Sequence, residues 1–269
     1  MKTATRSMAE TDSLGTRPLS RRERWMLGIV SIAGILGVWQ LATGLGWINP
    51  VLLPSPFDIG RAFVESVADG TLLHNVIASF ARVVDGFLLA FVVAVPMGIA
   101  MGLSRTLGGL CDPLLELIRP IPPIAVIPLA ILWFGIGEFS KVWIIAYGAF
   151  FPILLNTMAG FREVERVQVR AAQALGATRY HVFRDVVLRS ALPFVIVGAR
   201  LGMSMAFIVL VAAELIASSS GLGFMISDAR YKFRTDEMFL GRACIGALGF
   251  GLNVLLRATE RRLLKWKSG

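Results

Sequence analysis

The sequence predicts an all-α, polytopic membrane protein with about six transmembrane helices, and three observations carry this prediction. Hydrophobic residues make up 55% of the 269 residues, and the mean hydropathy is +0.69. Only 17% of the residues are charged, whereas a soluble domain of this size carries about a quarter. The apolar residues fall into long runs of roughly 20, which is the length that a helix needs to cross the hydrocarbon core.

The predicted transmembrane domain covers residues 25–260, between a polar tail at residues 1–24 and a short tail at residues 261–269. The six spans are expected at about 25–45, 76–103, 121–137, 141–161, 192–214 and 238–257. The first apolar run is too long for a signal peptide, so we expect an uncleaved helix. The third span is expected to be broken because its prolines cannot all belong to one regular helix. The sixth span is less regular because Arg242 interrupts it.

The placement of lysine and arginine predicts the orientation of the chain. Most of the 27 basic residues lie in the N-terminal tail, between the second and third spans, in residues 162–191 and in the C-terminal tail. With six spans, all four segments lie on one side of the membrane. That side is expected to be cytoplasmic, with both termini on it. This clustering also argues against nucleic acid as the explanation of the net charge of +9.

The longest polar segment between apolar runs is the central loop, residues 162–191. Its first half carries a narrow apolar stripe at helical spacing, formed by Val164, Val167, Ala171 and Leu175. Gly176 suits the left-handed turn that ends a helix, and Thr178 can cap the next one. Further on, the i, i+4 pairs Val182/Val186 and Phe183/Val187 predict a second helix. Two short helices joined at a glycine form a small, rigid knob, which predicts contact with another protein.

Residues for catalysis or metal binding are not evident in the sequence. It has no phosphate-binding G-x-x-x-x-G-K-[ST] motif, so we expect no cofactor and no ATP hydrolysis in this chain. His74 and His181 fall on opposite sides of the membrane in the predicted topology, which argues against a shared metal site. The sequence therefore favours a transport protein over a membrane enzyme.

The central loop resembles the EAA loop of binding-protein-dependent ABC transporter permeases. That pattern reads E-A-A, three residues, glycine, nine residues and I-x-L-P. The matching positions here are Arg170-Ala171-Ala172, Gly176 and Val186-Val187-Leu188-Arg189. Arg170 replaces the glutamate and Arg189 replaces the first proline, while a second Leu-Pro pair is present at Leu192 and Pro193.

The resemblance continues at residues 53–56, 119–138 and 212–226, which are similar to the taurine, sulfonate and nitrate branch of these permeases. Residues 170–178 are most similar to the taurine permease subunits of that branch. The resemblance implies a type I ABC importer permease fold in the bacterial inner membrane. It also implies a second permease copy, two cytoplasmic ATP-binding subunits that hold ATP and Mg, and a soluble periplasmic or extracellular binding protein. Lipid is the remaining expected partner.

The resemblance also implies that the central loop couples the permease to the ATPase. The residues expected to contribute are Arg170, Ala171, Ala172, Gln173, Gly176, Thr178, Leu192 and Pro193. The two alanines would allow close backbone approach to a groove on the ATPase, and Gly176 would set the angle of the second helix.

Charged residues inside the spans are functional-site hypotheses by default. Arg200, Ser204 and Glu214 are candidates for the translocation path of a small anion. The preferred alternative is an ion pair or a snorkelling side chain for Arg200, and a structural role beside the Ser218–Ser220 segment for Glu214. Arg82 and Asp85, one turn apart, are interpreted as an intrahelical pair.

The leading functional hypothesis is the permease subunit of an ATP-driven importer for a small anion. Taurine or another sulfonate is preferred, with nitrate, bicarbonate and aromatic carboxylates as alternatives. A free-standing secondary transporter or channel is a second hypothesis, but the central loop would then have no partner. An exporter permease, which needs no binding protein, is a third.

Overall fold

The computed structural model describes residues 20–263, and in this range the chain contains helices but no strands. The all-α prediction is confirmed. In chain order the helices are α1 (Arg21–Gly44), α2 (Pro56–Ala68), α3 (Thr71–Leu103), α4 (Arg105–Ile118), α5 (Pro123–Phe134), α6 (Glu138–Arg162), α7 (Arg166–Ala174), α8 (Arg179–His181), a π-helical turn (Val182–Val187), α9 (Leu188–Ala217), α10 (Leu222–Tyr231) and α11 (Thr235–Leu263).

The chain divides after Phe57 into two compact units. The first contains α1, which begins with a reciprocal cap: Ser20 N–H donates to Glu23 Oε2 at 2.7 Å, and Glu23 N–H donates to Ser20 Oγ at 3.2 Å. The bond from the Ser20 backbone is the main reason that the pKa of Glu23 lies below its ordinary value. The predicted span at 25–45 coincides with α1. Residues 1–19 of the predicted tail lie outside the described residues.

The second unit contains the other helices, and four of them are long and apolar enough to cross a membrane. With α1 they make five candidates: Met26–Gly44, Thr71–Leu103, Glu138–Arg162, Arg179–Ala217 and Thr235–Arg262. The predicted third span, 121–137, is not one of them. Its helix α5 has 12 residues, or about 18 Å at helical rise, against a core of about 30 Å. Together α4 and α5 pass the same test as one pair, bent by 94°.

Helices α3 and α6 pack in parallel along a glycine seam. A Cβ on Gly86 would lie 2.5 Å from Ile145 Cγ2, and one on Gly98 would lie 2.8 Å from Thr157 Cβ. The two residues of each contact are separated by the same number of residues in sequence, so contacts advance along both helices together. The two helices therefore run in the same direction. Because α3 and α6 are parallel, the chain must return from one end of the bundle to the other between them. The bent pair α4–α5 makes this return, which raises the number of candidate spans from five to six.

Helix α9 packs antiparallel against α6, again through glycines. A Cβ on Gly198 would lie 2.8 Å from Asn156 Cβ, and one on Gly202 would lie 2.6 Å from Ile153 Cγ1. Both glycines therefore serve packing within this subunit. Helices α3, α6 and α9 form the core of the second unit, with fully buried side chains that include Ile145, Ile153, Leu154 and Leu210.

Two segments differ from the predicted spans. Residues 192–214 were expected to follow a separate loop helix, but the chain is helical without interruption from Arg179 to Ala217. Helix α10 was not predicted at all. By contrast, α11 continues through Arg242, as expected of a residue with high helix propensity, and its guanidinium lies over the Phe239 ring at 5.3 Å from the centroid.

Candidate functional site: the central loop and the opposite end of the bundle

The predicted knob in the central loop is present in the structure. Helix α7 ends at Ala174, and Gly176 follows in the left-handed region at φ +86°. Ala177 N–H donates to the Ala172 carbonyl at 3.0 Å, and Gly176 N–H donates to the Gln173 carbonyl at 3.0 Å. These bonds close the helix end as a glycine C-cap does. A Cβ on Gly176 would meet nothing within 4 Å, so the backbone angle alone requires glycine.

The second half of the loop begins at Thr178, as predicted. Its Oγ1 accepts from His181 N–H at 3.5 Å and caps the short helix α8. The helical pairs predicted beyond it, Val182/Val186 and Phe183/Val187, are wrong. This turn is π-helical, so residues five apart meet on one side, and the two buried valines are Val182 and Val187.

One face of α7 is packed onto the rest of the chain. Val169 and Ala172 contact a cluster that contains Val182, Val187 and Ala191. This contact joins α7 to the π-turn and to the first residues of α9. The first half of the loop is therefore packed on an apolar cluster and is not an isolated helix.

The opposite face of α7 carries Val167, Ala171 and Leu175 of the predicted apolar stripe, and these three are exposed. The fourth stripe residue, Val164, precedes the helix and packs on the same cluster as Val169. Val167 is 74% exposed and Leu175 is 88% exposed, and Ala171 between them is also exposed. Arg170 and Gln173 flank this stripe and are exposed as well. Within residues 20–263, Arg170 forms no ion pair. The α7 helix thus presents apolar surface and an unpaired guanidinium that residues 20–263 do not cover.

The predicted coupling residues do not all lie together. The structure brings Arg170, Ala171, Gln173 and Gly176 to one exposed surface, whereas Ala172 points into the packed cluster. Leu192 and Pro193 lie inside α9, beyond the knob. Their assignment to coupling stays a prediction.

The opposite end of the bundle holds a buried polar network, which we call the network end. Its centre is Arg82 of α3, with a side chain 3% exposed. All five guanidinium N–H groups find acceptors. Nε donates to Glu138 Oε2 at 2.6 Å, and Nη2 donates to Glu138 Oε1 at 2.8 Å and to Ser220 Oγ at 2.7 Å. Nη1 donates to Glu214 Oε1 at 2.7 Å and to the Ser220 carbonyl at 2.6 Å. The arginine therefore ties α3, α6, α9 and the segment before α10 together.

Glu214 is the second centre of the network and is 1% exposed. Besides Arg82, it accepts from Ser79 Oγ at 2.8 Å and from Gly223 N–H at 2.9 Å, which caps α10. A Cβ on Gly221 would collide with the Glu214 carboxylate, and the residue has φ +110°. In this conformation Glu214 has the structural role that was the preferred alternative, and its place in a translocation path stays a prediction.

The sequence interpretation of Arg82 was wrong, because its partners are Glu138 and Glu214 and not Asp85, which is exposed. The network was missed because its members lie far apart in sequence. One signal was available: Asn75, Ser79 and Arg82 recur at helical spacing at the start of an otherwise apolar helix. Lys141 completes the set by donating to Glu138 at 2.9 Å.

The other predicted path residues lie toward the loop end. Arg200 Nη1 is 3.3 Å from Glu260 Oε2, so the preferred alternative for Arg200, an ion pair, is present. Ser204 Oγ donates to the Arg200 carbonyl at 3.1 Å. Both residues line a cavity of about 210 Å³ between α9 and α11. Glu214 lies 14 residues beyond Arg200 in α9, about 21 Å at helical rise, and does not share this cavity.

The family of this chain follows from its similarity to known proteins. A family model described as "binding-protein-dependent transport system inner membrane component" matches residues 86–265. The chain belongs to this family. Its matched region includes the glycine seam, the central loop and two centres of the buried network, Glu138 and Glu214.

Two characterised relatives cover nearly the whole permease. The taurine transport system permease protein of Escherichia coli K12 is 40% identical over 254 residues, which are 93% of this chain and 92% of that one. The bicarbonate transport system permease protein of Synechococcus elongatus is 30% identical over 278 aligned positions, covering 95% and 98%. A structure of the MetNI methionine ABC transporter in inward-facing conformations has a TM-score of 0.56 at 20% identity, over 71% of this chain and 97% of that one.

These similarities show an ABC importer permease subunit with the ABC importer permease fold. The relatives are transport permeases and not enzymes, in agreement with the sequence analysis. Membership implies ATP-binding subunits and a substrate-binding protein as partners. Among the described residues, no group of three potential metal ligands comes together.

Proposed function

We propose that this permease forms the translocation path for a small anion and couples transport to ATP hydrolysis in a partner subunit through its central loop. The observation that carries the proposal is the exposed apolar stripe of α7. Val167, Ala171 and Leu175 are left uncovered on a helix whose other face is packed. A rigid helix with one apolar face unburied suits a groove on a partner protein.

The packing behind the stripe supports transmission of movement. The loop begins directly after Arg162, the last residue of α6, and its second half continues as helix through Ala217 at the network end. A displacement of α7 by the ATPase would therefore act on α6 and α9 as levers. The network around Arg82 joins the far ends of these helices, so the movement would reach the opposite side of the membrane.

A small anion is the favoured substrate class because the relatives described above are named for taurine and bicarbonate transport. We favour taurine or another sulfonate, since the similarity to the taurine permease is greater; nitrate and aromatic carboxylates are alternatives. Arg200 and Ser204 are the proposed path residues near the loop end, and Glu214 is proposed near the network end. An arginine at membrane depth attracts anions by its charge.

The proposed assembly has two copies of this permease, two cytoplasmic ATP-binding subunits that hold ATP and Mg, and a soluble binding protein on the other side. The loop end faces the cytoplasm in this proposal because the basic residues cluster there. Both termini are then cytoplasmic, and the chain is a multi-pass protein of the bacterial inner membrane.

The test is co-purification of the ATP-binding subunit with full-length permease variants. Val167→Asp and Leu175→Asp should abolish association, because a carboxylate would be desolvated in the apolar contact. Arg184→Asp is the matched control, with a larger charge change at another exposed loop position outside the stripe, and should bind normally. Association that survives both stripe variants would contradict the docking assignment. Failure of the wild type to associate with the ATP-binding subunit would likewise contradict the proposed docking.

A further inference from the structure

A cavity of about 450 Å³ lies between α9, α10 and α11, in the half of the bundle nearer the network end. All three helices contribute apolar side chains to it, among them Val211, Ile226 and Ile245. Its polar lining consists of Arg230 and Arg242 together with Ser227. None of the described residues that line it is acidic. The volume is within the range of small-molecule sites, about 300–1,000 Å³.

Arg242 differs from the other arginines inside the candidate spans that were discussed above. Arg82 and Arg200 both have carboxylate partners. Arg242 has none within residues 20–263 and contacts the Phe239 ring instead. It lies seven residues into α11, about 10 Å along the helix. Arg242 is exposed, and a charge at this depth is costly unless it finds a partner or snorkels to the interface, so an anion from outside residues 20–263 would stabilise it.

Arg230 supplies a second cation to the same cavity. Its guanidinium stacks on the Tyr231 ring at 4.9 Å from the centroid, and Nη2 donates to Tyr231 Oη at 3.1 Å. In the part of the chain that the structure describes, no carboxylate pairs with it. Two guanidinium groups at an otherwise apolar cavity match a ligand that combines an oxyanion with an apolar body, because guanidinium binds sulfonate and phosphate oxygens through charge-assisted hydrogen bonds.

We propose that this cavity binds an amphipathic oxyanion, with the sulfonate or phosphate on Arg242 and Arg230 and the apolar body between α9 and α11. Two sources carry this chemistry: the phosphate headgroup of a membrane lipid and an alkanesulfonate substrate. The site adjoins the Arg200 cavity, with which it shares Ile245 and Gly246, but its two arginines line this cavity alone, and it is separate from the central loop. Only the substrate source rests on the proposed function, since lipid binding would hold for any membrane protein with this geometry.

The binding test uses purified full-length permease in detergent, with hexanesulfonate and dihexanoyl phosphatidylglycerol as probes and hexanol as the uncharged control. Affinity is read from the rise of the unfolding temperature with probe concentration. Both anionic probes should bind in competition, whereas hexanol should not. Arg242→Gln should weaken both by at least about tenfold, the order expected for loss of a charge-assisted bond. Arg257→Gln, the same change at an exposed position of α11 that does not line the cavity, should have no effect.

A second variant fills the cavity without touching the charges. A Cβ on Gly246 meets nothing within 4 Å, so Gly246→Leu should insert and fold normally yet abolish binding of both probes. Because Gly246 lines this cavity and the Arg200 cavity, Ser204→Leu, which narrows only the Arg200 cavity, is the control and should leave both affinities unchanged. If Arg242→Gln fails to fold, this variant and Arg230→Gln decide the question. Unchanged affinities in the folded variants would overturn the proposal and leave Arg242 as a side chain that snorkels to the interface.

Two further measurements on the same variants separate the sources. If the natural ligand is a lipid, native mass spectrometry should show a retained phospholipid on the wild type that Arg242→Gln lacks, and substrate uptake by the assembled transporter should keep its KM. If it is the substrate, no lipid is retained and the KM for sulfonate uptake should rise about tenfold in Arg242→Gln. The probe affinities come from the permease alone, so failure of ATPase docking would not be mistaken for failure of this site.

Discussion

The two ends of the helical bundle differ in how far their charged and apolar side chains are covered by the chain. At the network end, Arg82 and Glu214 are almost fully buried, and every donor of the Arg82 guanidinium has an acceptor within the chain. At the loop end, α7 leaves Leu175 88% exposed and Arg170 without an ion pair among the described residues. The first end satisfies its buried charges within one subunit, whereas the second has apolar surface that the described residues leave exposed. Mutations at the network end should therefore lower stability, whereas mutations at the loop end should impair coupling and leave stability nearly unchanged.

The largest expected effect is at the network end. Arg82→Gln would leave Glu214 buried without its counter-charge, and breaking a buried ion pair costs about 3–5 kcal/mol. We expect a strongly lowered unfolding temperature in the purified permease and, as a consequence, little uptake. An unfolding temperature like that of the wild type would show that the network does not hold α3, α6 and α9 together.

At the loop end we expect the opposite result, a loss of uptake with little loss of stability. Gly176→Val forces a β-branched residue into a left-handed conformation, which costs about 1–2 kcal/mol locally. The permease should insert and unfold nearly as the wild type does, while uptake by the assembled transporter falls at least about tenfold. Gly109→Val is the control, since Gly109 also has open space around it but no positive φ. Normal uptake by Gly176→Val would refute the role of the turn in coupling.

A smaller effect is expected at Arg200, which lies in α9 toward the loop end. Arg200→Gln should lower stability by about 1 kcal/mol, because the pair with Glu260 is partly exposed. Adding Glu260→Gln should restore the unfolding temperature but not anion uptake if Arg200 is a path residue. Recovery of uptake in the double variant would reduce Arg200 to an ion-pair partner.

The smallest effect is expected at an exposed pair near the network end. Arg61 and Glu65 are 74% and 51% exposed and lie 2.9 Å apart in α2. Arg61→Gln should change the free energy of unfolding by no more than about 0.5 kcal/mol. A loss comparable to that of Arg82→Gln would mean that burial does not explain the difference between these two arginines.

Local features of the sequence predicted local features of the fold. The C-cap at Gly176 and the N-cap at Thr178 follow from backbone chemistry within four residues, and the long apolar runs gave most of the spans. The network around Arg82 could not be predicted in this way, because its partners Glu138 and Glu214 are 56 and 132 residues away. The π-turn was missed because Val182/Val186 and Phe183/Val187 also fit the i, i+4 spacing of an α-helix.

The sequence predicted an apolar stripe at helical spacing, but it did not indicate which apolar residues of α7 pack on the chain and which stay exposed. An apolar stripe usually packs on its own protein, and here Val169 and Ala172 take that role while Val167 and Leu175 stay uncovered. Only the comparison of both faces of α7 distinguishes a structural helix from a docking helix.

The most direct test of the contrast between the two ends is hydrogen–deuterium exchange of the full-length permease with and without its ATP-binding subunit. We predict that the amides of α7, Arg166–Ala174, exchange at least about tenfold more slowly in the complex, while those at the start of α10 do not change. Unchanged exchange in α7, or protection confined to the network end, would contradict the account.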